Sequence, residues 1–130
     1  MTLPPFEPTG EWYTSQPWGE DSLVSLSGRI TVAGEDIAWK DVVARCTRTM
    51  HPTESERVFY RGGYDVEFTE IGERHVELLI TSAGQDGIES AIMATGDLIE
   101  ELETLPAGTV TVEWTERPAT RIDDAAPHHR

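Results

Sequence analysis

The chain has 130 residues, 38% hydrophobic and 8% aromatic, which is enough for one domain with a packed core and too apolar for a wholly disordered chain. Its 24 Asp and Glu against 10 Lys and Arg give a formal net charge of −14, a balance that repels DNA, RNA and anionic membranes and is complemented by a cationic partner. The single cysteine, Cys46, excludes an intramolecular disulfide and a multi-thiolate zinc site and suits a reducing compartment.

Residues 1–22 contain Pro4, Pro5, Pro8 and Pro17 together with Phe6, Trp12, Tyr13 and Trp18, and follow no strand or helix period. They read as an N-terminal arm, denied ladder hydrogen bonds by its prolines and anchored by its aromatic side chains to its own domain or to a second subunit. The opening MTLPPFEPTGEW lacks a basic region followed by an apolar run, and no stretch has the length needed to span a bilayer. The expectation is a cytoplasmic, untargeted protein.

Val24, Leu26, Ile30 and Val32 alternate with Ser25, Ser27, Arg29 and Thr31, which predicts a half-buried strand. Trp39, Val42, Val43, Cys46 and Met50 then follow helical spacing, with Pro52 as the stop. Residues 57–81 read as a hairpin. Its first arm carries Tyr64, Val66 and Phe68 on one face with a bulge at Gly62-Gly63, Ile71-Gly72-Glu73 reverses the chain, and Val76, Leu78 and Ile80 alternate on the way back. Ile88, Ile92, Thr95, Ile99 and Leu102 form the stripe of a long helix, supported by Ala91, Leu98 and Leu105, with Asp86 and Glu89 as a capping box and Pro106 as its end. Val110, Val112 and Trp114 alternate in a last strand, and residues 118–130 form a polar tail.

The order strand, helix, strand, strand, helix, strand predicts an α+β domain over residues 23–117. The arrangement is ferredoxin-like, a split βαβ with a four-stranded antiparallel sheet and both helices on one face. If the first helix is instead a strand, the alternative is a five-stranded meander carrying one long helix. In the four-stranded reading the face away from the helices carries Ser25, Ser27, Arg29 and Thr31, then Asp65, Glu67 and Thr69, then His75, Glu77 and Leu79, then Thr111, Glu113 and Thr115. That face is polar and acidic, and lacks the aromatics on which RNA-binding sheets stack bases.

No pattern identifies a catalytic site, so the reading leans away from an enzyme. Cys46 lies on an apolar stripe and reads as a buried small hydrophobe. His51, His75, His128 and His129 are scattered without zinc-site spacing, so no metal or other cofactor is expected. Gly84-Gln-Asp-Gly87 lacks the Lys and spaced glycines of a phosphate loop, and Asp86 and Glu89 repel anions.

The candidate partner-binding residues are therefore Asp65, Glu67, Glu77 and Glu113 on the sheet face and Trp12 and Trp18 on the arm. Three function classes follow. The first is an acidic protein that binds a basic protein, of inhibitor, immunity or accessory type. The second is a subunit of a larger assembly, such as a viral particle, that self-associates through the arm. The third is a small-molecule binder or enzyme with a pocket between helices and sheet.

Overall fold

The computed structural model describes residues 3, 6–8, 22–33, 39–84, 86–105 and 110–121. They form an α+β domain with strands β1 (Ser22–Val32), β2 (His51–Pro52), β3 (Val58–Arg61), β4 (Tyr64–Ile71), β5 (His75–Ala83) and β6 (Val110–Arg121) and helices α1 (Trp39–Cys46) and α2 (Gly87–Leu102). The strands make one antiparallel sheet in the order β2-β3-β4-β5-β1-β6.

The sheet thus has six strands, where four were expected, and the presence of both helices excludes the five-stranded meander with one helix. The difference arises at Gly62-Gly63. The first arm of the expected hairpin is itself folded in two, with Arg61 opposite Tyr64 and the two glycines making the turn instead of a bulge. A two-residue glycine pair is a hairpin signal because one or both positions need positive φ, and Gly63 has φ +94°. A Cβ at Gly63 would also stand 2.8 Å from the Ser90 hydroxyl of α2, so a larger residue at Gly63 would be strained by the positive φ and would displace that side chain. The chain between α1 and β3 then adds β2, placing His51 opposite Tyr60 and Pro52 opposite Phe59. Pro52, read as a helix stop, is also an edge-strand residue, where its missing N–H removes no ladder bond.

One core lies between the sheet and the two helices. It contains Val24, Leu26, Ile30 and Val32 of β1, Tyr64, Val66 and Phe68 of β4, and Val76, Leu78 and Ile80 of β5, all in the phase that the alternation predicts. Val42 and Cys46 of α1 and Ala91, Ala94, Leu98 and Leu102 of α2 close it from the other side. The buried line of α2 is rotated from the expected stripe: its centre runs along Ala91 and Ala94, and Ile88 and Ile92 flank the core half-buried. Small side chains there let the helix axis approach the sheet, and the larger isoleucines fill the groove beside it.

The start of α2 also differs. Asp86 occupies the N-cap with φ −96° and ψ 16° and makes no side-chain cap hydrogen bond, so the capping box does not form. The chain enters the helix by a tight turn, Gly87 N–H donating to the Gly84 carbonyl at 3.1 Å, while Gly87 packs against Val24 and the Ser82 carbonyl. The acidic run at the other end is not uniformly solvated. Glu100 and Glu103 are exposed, whereas Glu101 is buried and receives a two-pronged hydrogen bond from Arg48 at 2.9 Å per prong. The Arg48 guanidinium holds the Glu101 carboxyl below the usual carboxylate range, first by this hydrogen bond and then by its charge.

Gly28 sits in the core phase of β1, opposite Trp114 of β6. Its missing side chain is the slot for the indole, since a Cβ there would stand 2.7 Å from Trp114 Cζ3. The first residues of the arm finish this corner. Phe6 meets Trp114 edge to face at 6.4 Å, Leu3 and Phe6 pack against the core, and the Leu3 N–H donates to Glu103 at 2.8 Å. The Trp114 Nε1 is buried and finds no hydrogen-bond acceptor among the described residues.

Gly28→Ala forces the indole out of its slot and is expected to destabilise the domain by about 1–3 kcal/mol. Trp114→Phe removes the unpaired N–H along with part of the ring, two effects of opposite sign, and is expected within about 1 kcal/mol of the parent. Trp114→Ala leaves a cavity and is expected to cost about 3 kcal/mol or more. Denaturant unfolding of the three variants measures this order.

Candidate functional site

The register of β1 determines what lies on the face of the sheet away from the helices. Arg29 stands opposite Glu77 on one side and Glu113 on the other, Ser27 opposite Leu79 and Thr115, and Thr31 opposite His75 and Thr111. Across β5, Glu67 is opposite Leu79 and Asp65 opposite Thr81, while β3 brings Val58 beside Glu67 and Tyr60 beside Asp65. The structure thus gathers Asp65, Glu67, Glu77 and Glu113 on one face. Trp12 and Trp18 lie outside the described residues.

Two charged residues of this face lie beyond the positions read from the sequence, and only the first of them departs from simple alternation. Between Phe68 and Glu70 the β4–β5 register shifts by one residue, so that Glu70, not Thr69, stands opposite Glu77. A sequence signal for this bulge exists: Phe68 and Ile71 both pack on the core but lie an odd number of residues apart, which a regular strand forbids. Arg117 is the other addition, exposed on β6 with its Nε donating to Ser27 Oγ at 2.6 Å. The face therefore holds the carboxylates Asp65, Glu67, Glu70, Glu77 and Glu113 against the guanidinium groups of Arg29 and Arg117. Leu79, Val58 and Tyr60 give it an apolar component, Tyr60 being 45% exposed and lying over His51 with ring centroids 5.0 Å apart.

The bulge concentrates chemistry at one point. His75 Nε2 lies 3.2 Å from Glu70 Oε1 and 4.0 Å from Glu77 Oε2, and the three groups offer donor atoms within 4.8 Å of one another. Gly72 leaves room for the imidazole, because a Cβ there would stand 2.9 Å from His75 Cε1. The Glu77 carboxyl is pushed up, foremost by its hydrogen bond with Glu70, and the Glu70 carboxyl is lowered, foremost by that same bond and next by His75. Two carboxylates and an imidazole are a donor set that a divalent cation accepts. Here Glu70 and Glu77 are hydrogen-bonded to each other on an exposed surface, with the Arg29 charge acting on both carboxyls.

Other candidate chemistry is closed off or lies at the edge. Cys46 is 1% exposed and burial pushes its thiol up to about 12, which removes the thiolate that nucleophilic or metal chemistry needs. A cleft of about 530 Å³ opens at the Gly62-Gly63 turn, lined by His51, Tyr60, Arg61, Asp65, Thr81 and Ser82 among others. Three of its polar side chains are engaged within the fold: Ser82 Oγ donates to the Gly63 carbonyl, Arg61 donates to Thr49 Oγ1 at 3.1 Å, and Tyr64 donates to Asp97 at 2.9 Å. Among the described residues no helix is long and apolar enough to cross a membrane. Comparison with protein-family models, with curated proteins and with solved structures finds no match.

The linked carboxyls give a pH signature. Glu77, raised in the folded state, adds stability below the ordinary glutamate pKa and loses it as pH rises through its higher value; Glu70, lowered, adds stability above the ordinary pKa and loses it as pH falls. Their sum favours the form with one shared proton. Glu77→Gln supplies a permanent donor to Glu70 and removes the facing charge, so the variant is expected to melt higher than the parent near pH 7, with the difference shrinking towards mildly acidic pH. Thermal unfolding across that range checks it, and a pH-independent offset would contradict the shared proton.

Proposed function

We propose that this domain is a non-catalytic protein-binding module that docks a positively charged protein surface on the open face of its sheet, in the manner of an inhibitor, an immunity-type partner or an accessory subunit. The observation that carries the reading is the gathering of Asp65, Glu67, Glu70, Glu77 and Glu113 on the face away from the helices, around the apolar Leu79 and Tyr60. A face of this kind accelerates and orients encounter with a complementary field, while its few apolar side chains supply contact area. Among the described residues the helix side of the sheet is filled by the core, and the opposite face is the one that carries the exposed carboxylates.

Within this proposal β4-β5-β1-β6 is a ferredoxin-like core and β2–β3 an addition at its edge. That arrangement hosts binders and enzymes alike, so the argument rests on the face and not on the fold. A buried free cysteine and an acidic surface fit a cytoplasmic protein. The rival reading, an assembly subunit with the arm as clasp, depends on Trp12 and Trp18. Leu3 and Phe6, at the start of the arm, pack on their own domain, which favours an intramolecular role for that part. A small-molecule role would use the cleft at the Gly62-Gly63 turn, where Ser82, Arg61 and Tyr64 are already bonded within the fold.

The test is a comparison of two triple charge reversals. Asp65→Lys, Glu67→Lys and Glu77→Lys alter the face; Glu54→Lys, Glu89→Lys and Glu100→Lys alter exposed positions elsewhere by the same total charge. Binding to an immobilised lysine-rich helical peptide is expected to weaken about tenfold or more in the first variant than in the second, and to weaken with salt in the parent. Equal weakening in both variants would mean that net charge alone attracts the peptide, and the docking face would be abandoned.

A further inference from the structure

We infer that two copies of this chain associate edge to edge through β6, joining their sheets into one. The two ends of the sheet are treated unequally. At one end β2 is two residues long and contains Pro52, a short and proline-bearing edge of the kind that discourages further pairing. At the other end β6 runs twelve residues, and among the described residues no strand pairs along its outer side. From Val110 to Arg117 it is regular; the register irregularity against Leu23 and Ser25 comes only beyond Arg117, where Pro118 stands. In an antiparallel ladder alternate residues turn their N–H and C=O groups away from the neighbouring strand, so this regular stretch presents a row of them on its outer side.

The charge pattern of β6 selects a second copy as the occupant and fixes the register. A twofold axis perpendicular to the sheet pairs β6 with itself antiparallel and keeps like faces together, so only registers centred on a residue are allowed. Centring on Glu113 or Glu116 sets a carboxylate against its own copy. Centring on Trp114 puts Arg117 opposite Thr111 and leaves every charge unpaired. Centring on Thr115 places Glu113 opposite the partner's Arg117 and Arg117 opposite the partner's Glu113, both on the open face where these residues are exposed. No other centre from residue 112 to residue 116 makes two opposite-charge pairs.

The two open faces then run on into each other, doubling the acidic surface. The net charge of −14 on each copy opposes the association at long range. Salt screens that repulsion more than it weakens two short-range pairs, so self-association strengthens with moderate salt, the reverse of docking to a basic partner.

Sedimentation of the full chain at rising concentration in moderate salt is expected to move from 14.5 kDa towards twice that mass. Glu113→Arg or Arg117→Glu alone converts both attractions into repulsions and is expected to weaken dimerisation about tenfold or more, and combining the two substitutions is expected to restore it. Thr115→Cys, directly opposite itself across the axis, is expected to form a disulfide-linked dimer under mild oxidation, while Thr111→Cys, equally exposed on the same face but far from its own copy, does not. Cys46 is buried and does not interfere. A monomer at every concentration, or Thr111→Cys linking as readily as Thr115→Cys, would overturn the inference.

Discussion

Everything in this domain is registered against β1, the strand hydrogen-bonded along both edges for most of its length, to β5 on one side and β6 on the other. A strand in that position cannot slip. A shift of one residue would carry Leu26 and Ile30, both at 0% exposure, to the face away from the helices and bring Ser27 and Arg29 into the core. The same alternation that buries the apolar phase therefore aligns Arg29 between Glu77 and Glu113 and sets the spacing of the acidic face. Core and surface are two readings of one constraint, and Gly28, in the apolar phase, is where β6 exploits it by laying Trp114 into an empty slot.

The parts legible from sequence are those governed by that regular period. The core phases of β1, β4 and β5 and the length of α2 followed from apolar spacing, and with them the positions of Asp65, Glu67, Glu77 and Glu113 on one face. What was not legible depends on single-residue departures from period. A glycine pair serves equally well as a bulge or as a turn, and the choice rests on whether residues 58–61 find a partner in residues 64–67, a tertiary fact. The bulge after Phe68 brings Glu70 beside His75 and Glu77, although Thr69 holds that position in a regular strand. Asp86 had the residue type for a cap, yet the packing of Gly87 against Val24 settles the entry into α2 first.

The helix layer is held to the sheet by more than apolar contact. Arg48 binds Glu101 from the turn after α1, Arg61 approaches Asp97 at 3.6 Å, and Tyr64 donates to the same carboxylate. The first ties α2 to the end of α1, and the other two tie it to β3 and β4. Arg48 and Arg61 are thereby drawn to the helix side. Two of the nine arginines thus serve the helix layer, while the open face keeps five carboxylates to two arginines, close to the 24 acidic to 10 basic residues of the whole chain.

Charge acts here at two ranges, and the ranges oppose each other. At distances beyond a Debye length a body of charge −14 repels its own copies and attracts anything basic, so composition alone points outward to a different protein. At the contact distance of paired strands the net charge matters little and the order of charges along β6 matters most: Glu113 and Arg117, two residues either side of Thr115, are self-complementary under a twofold rotation. The chain can therefore present an acidic face to a partner and an ordered edge to itself without conflict, because the face and the edge are perpendicular surfaces of the same sheet. Salt separates them physically, weakening the long-range attraction to a basic protein while lowering the barrier to pairing of two acidic ones.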